Sequence, residues 1–191
     1  MKKIFLILLI LFLLAALAVV VWRRQSAPQL LAPAPAAAVM QVVPMTITSS
    51  AFADNQPIPA KYTCDADGIN PPLQFAHVPQ GAQSLLLAVT DPDAPSGTWV
   101  HWLVWNLDPS LTGLDENAVP AGAVQGRASS GQNVYSGPCP PSGTHHYLFT
   151  LYALDEKLDL PSYSTWDKVG AVLSGHVLGQ AQLIGLYGRS H

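Results

Sequence analysis

Residues 4–22, IFLILLILFLLAALAVVVW, form an unbroken run of 19 apolar residues, and this run constrains the fold more than any other feature. As a helix it would extend about 28 Å, close to the thickness of the hydrocarbon layer of a membrane. Two lysines precede the run and two arginines follow it. The run is therefore expected in a membrane rather than in the core of a water-soluble domain.

Two interpretations of this run remain open. One is an uncleaved transmembrane signal-anchor over residues 1–24, and the other is a signal peptide cleaved near the small residues at 16–18. The run is longer than the roughly 7–15 apolar residues typical of a signal peptide, which favours the anchor. No cysteine follows it closely enough to accept a lipid. The anchor predicts a domain held at the inner membrane, in the periplasm or extracytoplasmic space, whereas cleavage predicts secretion.

Residues 25–40 are rich in alanine and proline and are expected to form an extended linker. The remaining residues, 41–191, match the usual size of one domain. Four of the nine Lys and Arg residues precede this domain, whereas all twelve Asp and Glu residues lie within it, so its net charge is −7 rather than the −3 of the whole chain. An acidic domain is a poor candidate for binding nucleic acid.

Cys64 and Cys139 are the only cysteines of the chain. An even number of cysteines in an exported domain favours a disulfide, and two unpaired buried thiols are the alternative. A bridge would close a loop of about 75 residues, for which the chain-entropy model gives roughly 4 kcal/mol of stabilisation.

Short apolar runs between prolines and glycines predict a mainly β domain. Runs such as SLLLAVTD and HYLFTLYALD are short enough for buried strands. Their spacing favours antiparallel sheets with long loops over alternating strands and helices. The predicted strands are 45–49, 84–90, 100–106, 147–154 and 182–187. One helix is predicted over 166–180, with Thr165 as its N-cap and an apolar stripe formed by Val169, Val172, Leu173, Val177 and Leu178.

The segment DPDAPSGTWVHW, residues 91–102, brings two carboxylates and a histidine together. Asp91 directly follows a predicted buried strand and is the better candidate for a pocket, and at least one of the two carboxylates is expected to cap N–H groups of the proline-containing turn. Alternation along the next strand predicts that His101 shares a face with Trp99, Leu103 and Trp105. The opposite face is then formed by Val100, Trp102, Val104 and Asn106.

A second segment, GPCPPSGTHHYLF, covers residues 137–149. Its two prolines, Pro140 and Pro141, predict a rigid wall, and alternation places His145 and Tyr147 on one strand face and His146 on the other. The chain contains no G-x-S-x-G and no H-E-x-x-H motif, so no catalytic residue is predicted. Imidazoles, tyrosine hydroxyls and loop N–H groups favour an anion-binding pocket, and a metal site built from Asp91, His101 and His145 remains the alternative.

These segments, together with IPAKYTCDADGINPPLQFAHVPQGAQSLLLAVTDPDAP, resemble the phosphatidylethanolamine-binding protein family, also called the Raf kinase inhibitor protein family, and in particular its bacterial branch. The resemblance runs from Phe52 to Arg189. It implies an antiparallel β-sandwich with few short helices and a small pocket for phosphate or phosphoryl head groups. It also implies that this pocket is lined by Asp91, His101, Pro141, His145 and Tyr147, and that Asp93 stabilises a turn.

The chain departs from the family at His146, where an arginine is frequent. The main hypothesis is a non-enzymatic binding protein for a small anionic or phosphoryl ligand, without cofactor or metal, which modulates or inhibits a partner protein. Two alternatives remain open: a metal-assisted hydrolase that uses the same Asp and His side chains, and a protease-inhibitor-like module that binds its partner through an exposed loop.

Overall fold

The computed structural model describes residues 44–189. The predicted anchor and linker, and the domain boundary at residue 41, lie outside the described residues and stay predictions. No helix within residues 44–189 is long and apolar enough to cross a membrane.

Within this range the chain forms nine strands, one turn of 3-10 helix and one α-helix. The mainly β class predicted from the sequence is therefore confirmed. The strands are β1 Thr46–Thr48, β2 Gln56–Pro57, β3 Leu73–Ala76, β4 Ser84–Asp91, β5 Trp99–Leu107, β6 Gly113–Leu114, β7 Val124–Gln125, β8 Thr144–Leu154 and β9 Val177–Gly188. The 3-10 turn is Ala60–Tyr62, and the helix, α1, is Trp166–Leu173.

The strands form two sheets. The small sheet has the order β1-β3-β6, and the large sheet has the order β2-β9-β8-β4-β5-β7. Neighbouring strands are antiparallel except for the two-residue β2, which runs parallel to β9. β4 lies in the middle of the large sheet and is buried on both faces, which explains why its sequence is almost continuously apolar.

Apolar side chains pack on both faces of the large sheet and form two cores. The core between the two sheets includes Phe75 from β3, Trp102 from β5 and Phe149 from β8. The core on the other face lies beneath α1, where Val169 packs with Leu103. The large sheet is thus covered by the small sheet on one side and by α1 with its flanking loops on the other.

The predicted helix over 166–180 is too long. α1 ends at Leu173, and Gly175 follows in the left-handed region with φ of +90°. Val177 and Leu178, which the helical stripe included, begin β9: Val177 lies opposite Leu154 of β8, and Leu178 is the extra residue at a register shift. The twelve-residue strand satisfies its backbone groups through that ladder, so tertiary pairing overrides the local helical pattern. Thr165 does flank the helix, without a hydrogen bond from its side chain.

A β-bulge at His101 breaks the predicted alternation along β5. Val89 of β4 lies opposite Trp102, whereas the next residue, Thr90, lies opposite Val100, so His101 is the extra residue. As a result Val100 packs in the helix-side core with Leu103, and not with Trp102 as alternation predicted. Bulges of this kind re-aim a side chain, and here the side chain is an imidazole.

Candidate functional site

A cavity of about 360 Å³ lies where the end of β4 and the starts of β5 and β8 meet the loop that precedes β8. Four of the five residues expected at a pocket lie on its surface: Asp91, His101, Pro141 and His145. The other lining residues are Ala94, Pro95, Ser96, Trp99, Ser136, Gly137, Cys139 and Pro140. Two segments that are well separated in sequence, 91–101 and 136–145, therefore face each other across one small space.

Asp91 and His145 form a buried pair at the cavity. Nδ1 of His145 lies 2.7 Å from Oδ2 of Asp91, and the two side chains are 9% and 5% exposed. The other carboxylate oxygen, Oδ1, accepts the backbone N–H of Asp93 at 2.9 Å. Because a carboxylate only accepts, the His145 proton is on Nδ1, and Nε2 is the ring nitrogen left for a ligand.

His101 is held by two hydrogen bonds to Ser136. Its Nδ1 donates to the Ser136 carbonyl at 2.6 Å, and its own carbonyl accepts the Ser136 N–H at 2.9 Å. Burial lowers the pKa of the His101 imidazole, although the Ser136 carbonyl and the charge of Asp91 act in the opposite direction. His101 is therefore neutral near pH 7, with its proton on Nδ1 and a lone pair on Nε2.

Tyr147 lies behind the cavity rather than on its surface. Its ring centroid is 5.1 Å from that of His101, in an edge-to-face arrangement, and 6.5 Å from that of His145, in a stacked one. The side chain is fully buried, and its hydroxyl lies next to the backbone of Cys139, one of the residues that line the cavity. Burial, together with the nearby charge of Asp91, raises the pKa of Tyr147, so the phenol stays protonated. The sequence placed Tyr147 among the lining residues, whereas the structure makes it a support for the two imidazoles.

Asp93 and His146 form a second pair at the surface. Oδ2 of Asp93 accepts both the backbone N–H and the Nδ1–H of His146, at 2.8 and 2.7 Å. These hydrogen bonds lower the pKa of Asp93. They tie the turn after β4 to the start of β8, a geometry that fits the turn-stabilising role expected of Asp93. The family resemblance separates a pocket aspartate from a turn aspartate, but Asp91 also holds this turn through the N–H of Asp93.

The predicted disulfide between Cys64 and Cys139 is present and holds one wall of the cavity. Next to it the Cys64 N–H donates to the Pro138 carbonyl at 3.1 Å. Gly137 packs directly on the backbone of Thr63, because a Cβ at position 137 would lie 2.8 Å from the Thr63 carbonyl carbon. The loop from 136 to 141 is thus fixed both to β5, through Ser136, and to the segment around Cys64.

Sequence reasoning missed that the turn residues Ala94, Pro95 and Ser96 line the cavity, although they belong to the segment DPDAPSGTWVHW. It also missed Ser136, since nothing in the sequence marks the bulge that lets His101 bond to it. No group of three or more His, Cys, Asp or Glu side chains within residues 44–189 is arranged to hold a metal ion. What the cavity offers a ligand is two imidazole Nε2 atoms, one carboxylate and the groups of two loops.

Comparison with known proteins follows the same residues. The family model for phosphatidylethanolamine-binding proteins matches residues 48–188. A UPF0098 protein from Methanothermobacter thermautotrophicus is 50% identical over 150 residues, which are 76% of this chain and 99% of that protein. A protein of Mycobacterium tuberculosis that carries the name lipoprotein LppC is 41% identical over 157 residues, 81% of this chain and 75% of its own length.

The fold is shared as well. The crystal structure of a phosphatidylethanolamine-binding protein homologue from Chlamydia trachomatis superposes with a TM-score of 0.74 at 42% identity, over 77% of this chain and 99% of that one. The match of the family model to most of the chain, a relative at 50% identity and a common fold agree with one another. The chain therefore belongs to the phosphatidylethanolamine-binding protein family.

Proposed function

We propose that this protein binds a small oxyanion or phosphoryl group in the cavity between Asp91, His101 and His145, and that it binds this ligand without transforming it. The observation that carries the proposal is the pair of buried imidazoles at one cavity, each with Nδ1 already bonded within the protein. The remaining Nε2 atoms are fixed in position before a ligand arrives, and imidazole nitrogens pair well with phosphoryl oxygens and hydroxyls.

The size of the cavity supports a small ligand. Its volume of about 360 Å³ lies at the low end of the range for ligand pockets. A phosphoryl head group fits such a space, whereas the rest of a larger molecule to which this group is attached would remain outside. Pro95, Ser96 and Pro141 are exposed at the rim and would contact that molecule.

The exposed rim extends the proposal to a partner protein. If the phosphoryl group belongs to a partner protein, the partner residues next to that group would contact the same rim residues. Binding in the pocket would then modulate that partner. The pocket and the partner surface would then be one continuous site, which distinguishes this proposal from a module that binds its partner through a distant loop.

We also propose that the domain works outside the cytoplasm, anchored by residues 4–22. Disulfides persist in oxidising compartments, and the Cys64–Cys139 bridge supports this location. The relative named as a lipoprotein supports attachment of the domain to a membrane. Alkaline extraction of membranes from cells that produce the full chain tests the anchor: the protein should remain in the membrane pellet, and its release at the size of residues 19–191 would favour a cleaved signal peptide.

The binding proposal is tested by NMR of the domain, with phosphorylethanolamine and inorganic phosphate as probes. At millimolar probe, amide and imidazole resonances of His101 and His145 should shift in a saturable manner. The His176 ring is a matched control, since it also bonds to a carboxylate but lies away from the cavity. If His101 and His145 do not shift, or shift only as much as His176, the proposed binding site is wrong.

A further inference from the structure

The hydrogen-bonding character of the cavity restricts which oxyanions it can hold. The Nδ1–H of His101 donates a hydrogen bond to the Ser136 carbonyl, and the Nδ1–H of His145 donates one to Asp91. Both Nε2 atoms are therefore acceptors when the imidazoles are neutral. A fully deprotonated oxyanion is also only an acceptor. Two acceptors cannot share a hydrogen bond, so one of them must first gain a proton.

The charge at the cavity adds to this restriction. The lining residues include no lysine and no arginine, and Asp91 supplies their only carboxylate. When both imidazoles are neutral, the site carries the one negative charge of Asp91, which the hydrogen bond from His145 partly offsets. Any anion that enters this site meets repulsion from Asp91 that no lysine or arginine of the lining balances, so the hydrogen bonds of the anion decide its affinity.

His101 resists protonation for physical reasons that lie on every side of it. The Tyr147 ring packs against it edge to face and displaces water, and the nearby His145 also acts to lower the His101 pKa. The charge of Asp91 favours an imidazolium, but burial of His101 outweighs it and lowers the pKa of the ring. At neutral pH the proton needed for a hydrogen bond is therefore more easily supplied by the ligand than by His101.

We propose that the pocket selects oxyanions that carry their own proton, namely inorganic phosphate and protonated phosphomonoesters, over fully deprotonated oxyanions and phosphodiesters. This inference rests on the proposed function and names the ligand class of the same site. In the bound state the P–OH group donates to Nε2 of His101. No bond is made or broken apart from this hydrogen bond.

The class has a chemical consequence that separates two sources of phosphoryl groups. A phosphomonoester keeps one proton below its second pKa of about 6 and loses it above. A phosphodiester, the linkage of a phospholipid head group, has no proton to donate anywhere near neutrality. At neutral pH the pocket is thereby matched to inorganic phosphate, and below about pH 6 to a phosphomonoester as well, rather than to an intact phospholipid.

The test compares three probes at equal ionic strength: inorganic phosphate, which keeps at least one proton, and sulfate and dimethyl phosphate, which keep none. Dissociation constants are measured by NMR at about pH 7.5 and about pH 5.5, on either side of the ordinary histidine pKa. At the higher pH, phosphate should bind roughly tenfold or more tighter than sulfate and dimethyl phosphate, the factor expected from one hydrogen bond that leaves no buried group unpaired. The preference should shrink only at a pH low enough to protonate His101, whose pKa lies below the ordinary value because of burial.

A matched pair of variants assigns the preference to one side chain. His101→Gln places an amide near the position of Nε2, and this amide can donate or accept, so the ratio of phosphate to sulfate affinity should fall close to one. His176→Gln alters an exposed histidine outside the cavity and should leave the ratio unchanged. Should His101→Gln fail to fold, the wild-type comparison of the three probes still decides the proposal.

The possible results are distinguishable. Equal or tighter binding of sulfate at about pH 7.5, with shifts at His101 and His145, would overturn the selection for protonated oxyanions and leave the proposed binding function intact. Retention of the full preference in His101→Gln would show that His101 is not the acceptor. If no probe binds at either pH to a protein whose spectrum is that of the folded domain, the proposed function fails and the inference fails with it.

Discussion

His145 and His146 are neighbours on β8, and each donates from Nδ1 to an aspartate oxygen at 2.7 Å, yet the two pairs differ in their surroundings. The His145–Asp91 pair is 9% and 5% exposed, whereas the His146–Asp93 pair is 51% and 42% exposed. The chemistry is the same and the partners are two residues apart. Alternation along the strand sends one imidazole into the cavity and the other to the solvent.

Burial therefore decides how much a His–Asp pair contributes to stability and to the orientation of the imidazole ring. In the solvent, water competes for both partners, so the surface pair contributes little beyond holding a turn. In the cavity, removal of either partner leaves the other buried and unpaired, so the same hydrogen bond fixes both the fold and the orientation of a ligand-facing ring. The following predictions separate the two pairs.

The largest effect is expected from loss of the disulfide that holds the wall beside the buried pair. Its loop spans 75 residues, for which the chain-entropy model gives a loss of about 4 kcal/mol in the free energy of unfolding. Urea denaturation of the Cys64→Ala/Cys139→Ala variant measures this loss. The imidazole resonances of His101 and His145 should also move, while that of His146 stays in place.

The outcome that counts against this view of the wall is a shift in the His146 ring as large as that of His101. It would mean that the bridge supports the whole edge of the sheet and not the cavity in particular. The loss of stability alone would not distinguish the two, so the resonances are the deciding readout.

Next in size is the effect of removing each aspartate. Asp91→Ala should lower the free energy of unfolding by about 3 kcal/mol, because it leaves the buried His145 ring and the Asp93 N–H without their acceptor. Asp93→Ala is the matched control at the surface and should cost about 1 kcal/mol or less. Both values come from urea denaturation at neutral pH, and equal costs would contradict the contrast between the two pairs.

The two regions should also lose stability at different pH. The lowered pKa of His101 means that the unfolded chain takes up a proton at higher pH than the folded one. The stability that the neutral ring provides is therefore complete above about pH 6.5 and declines as the pH falls below it. The lowered pKa of Asp93 means that its contribution is present above about pH 4 and is lost only below that value.

Urea midpoints measured from pH 8 downwards check this order. His101→Gln should remove the first decline, and Asp93→Asn should remove part of the second. A first decline that persists unchanged in His101→Gln would assign it to another group.

The smallest effect is expected from His146→Gln. The glutamine amide can still donate a hydrogen bond to the exposed Asp93 carboxylate, and the backbone N–H of residue 146 keeps its own hydrogen bond to Asp93. We expect a change of about 0.5 kcal/mol or less in the free energy of unfolding, and no change in phosphate affinity beyond twofold. A tenfold loss of phosphate affinity would instead make the surface pair part of the binding site.

Most of the fold could be predicted from the sequence because its strands are apolar runs between turn formers. The composition of β4 and β8 predicts both strands, and the spacing of the apolar runs predicts antiparallel sheets, whereas the sandwich arrangement is what the family resemblance implies. The helix was overestimated because Val177 and Leu178 continue a helical stripe by chance, and only the pairing of β9 with β8 shows that they are strand residues. Local pattern cannot reveal a partner that lies far away in the chain.

The site was predicted in its residues better than in its geometry. Asp91, His101, Pro141 and His145 do meet at one cavity, as their two segments suggested. The bulge at His101 was not predictable, since it arises from the register between β4 and β5. Tyr147 lies behind the imidazoles for the same kind of reason: alternation gives the face of a strand, and it does not give the depth of a side chain below the surface.

The most direct test of the account is the protonation state of the two cavity histidines, read from ¹⁵N-labelled imidazoles at neutral pH. We predict that His101 and His145 both carry their proton on Nδ1, and that inorganic phosphate shifts their Nε2 resonances but leaves those of His146 and His176 unchanged. Protons on Nε2 of His101 and His145, or a response to phosphate at His146 as large as theirs, would contradict the claim that this cavity is a preorganised phosphoryl-binding site.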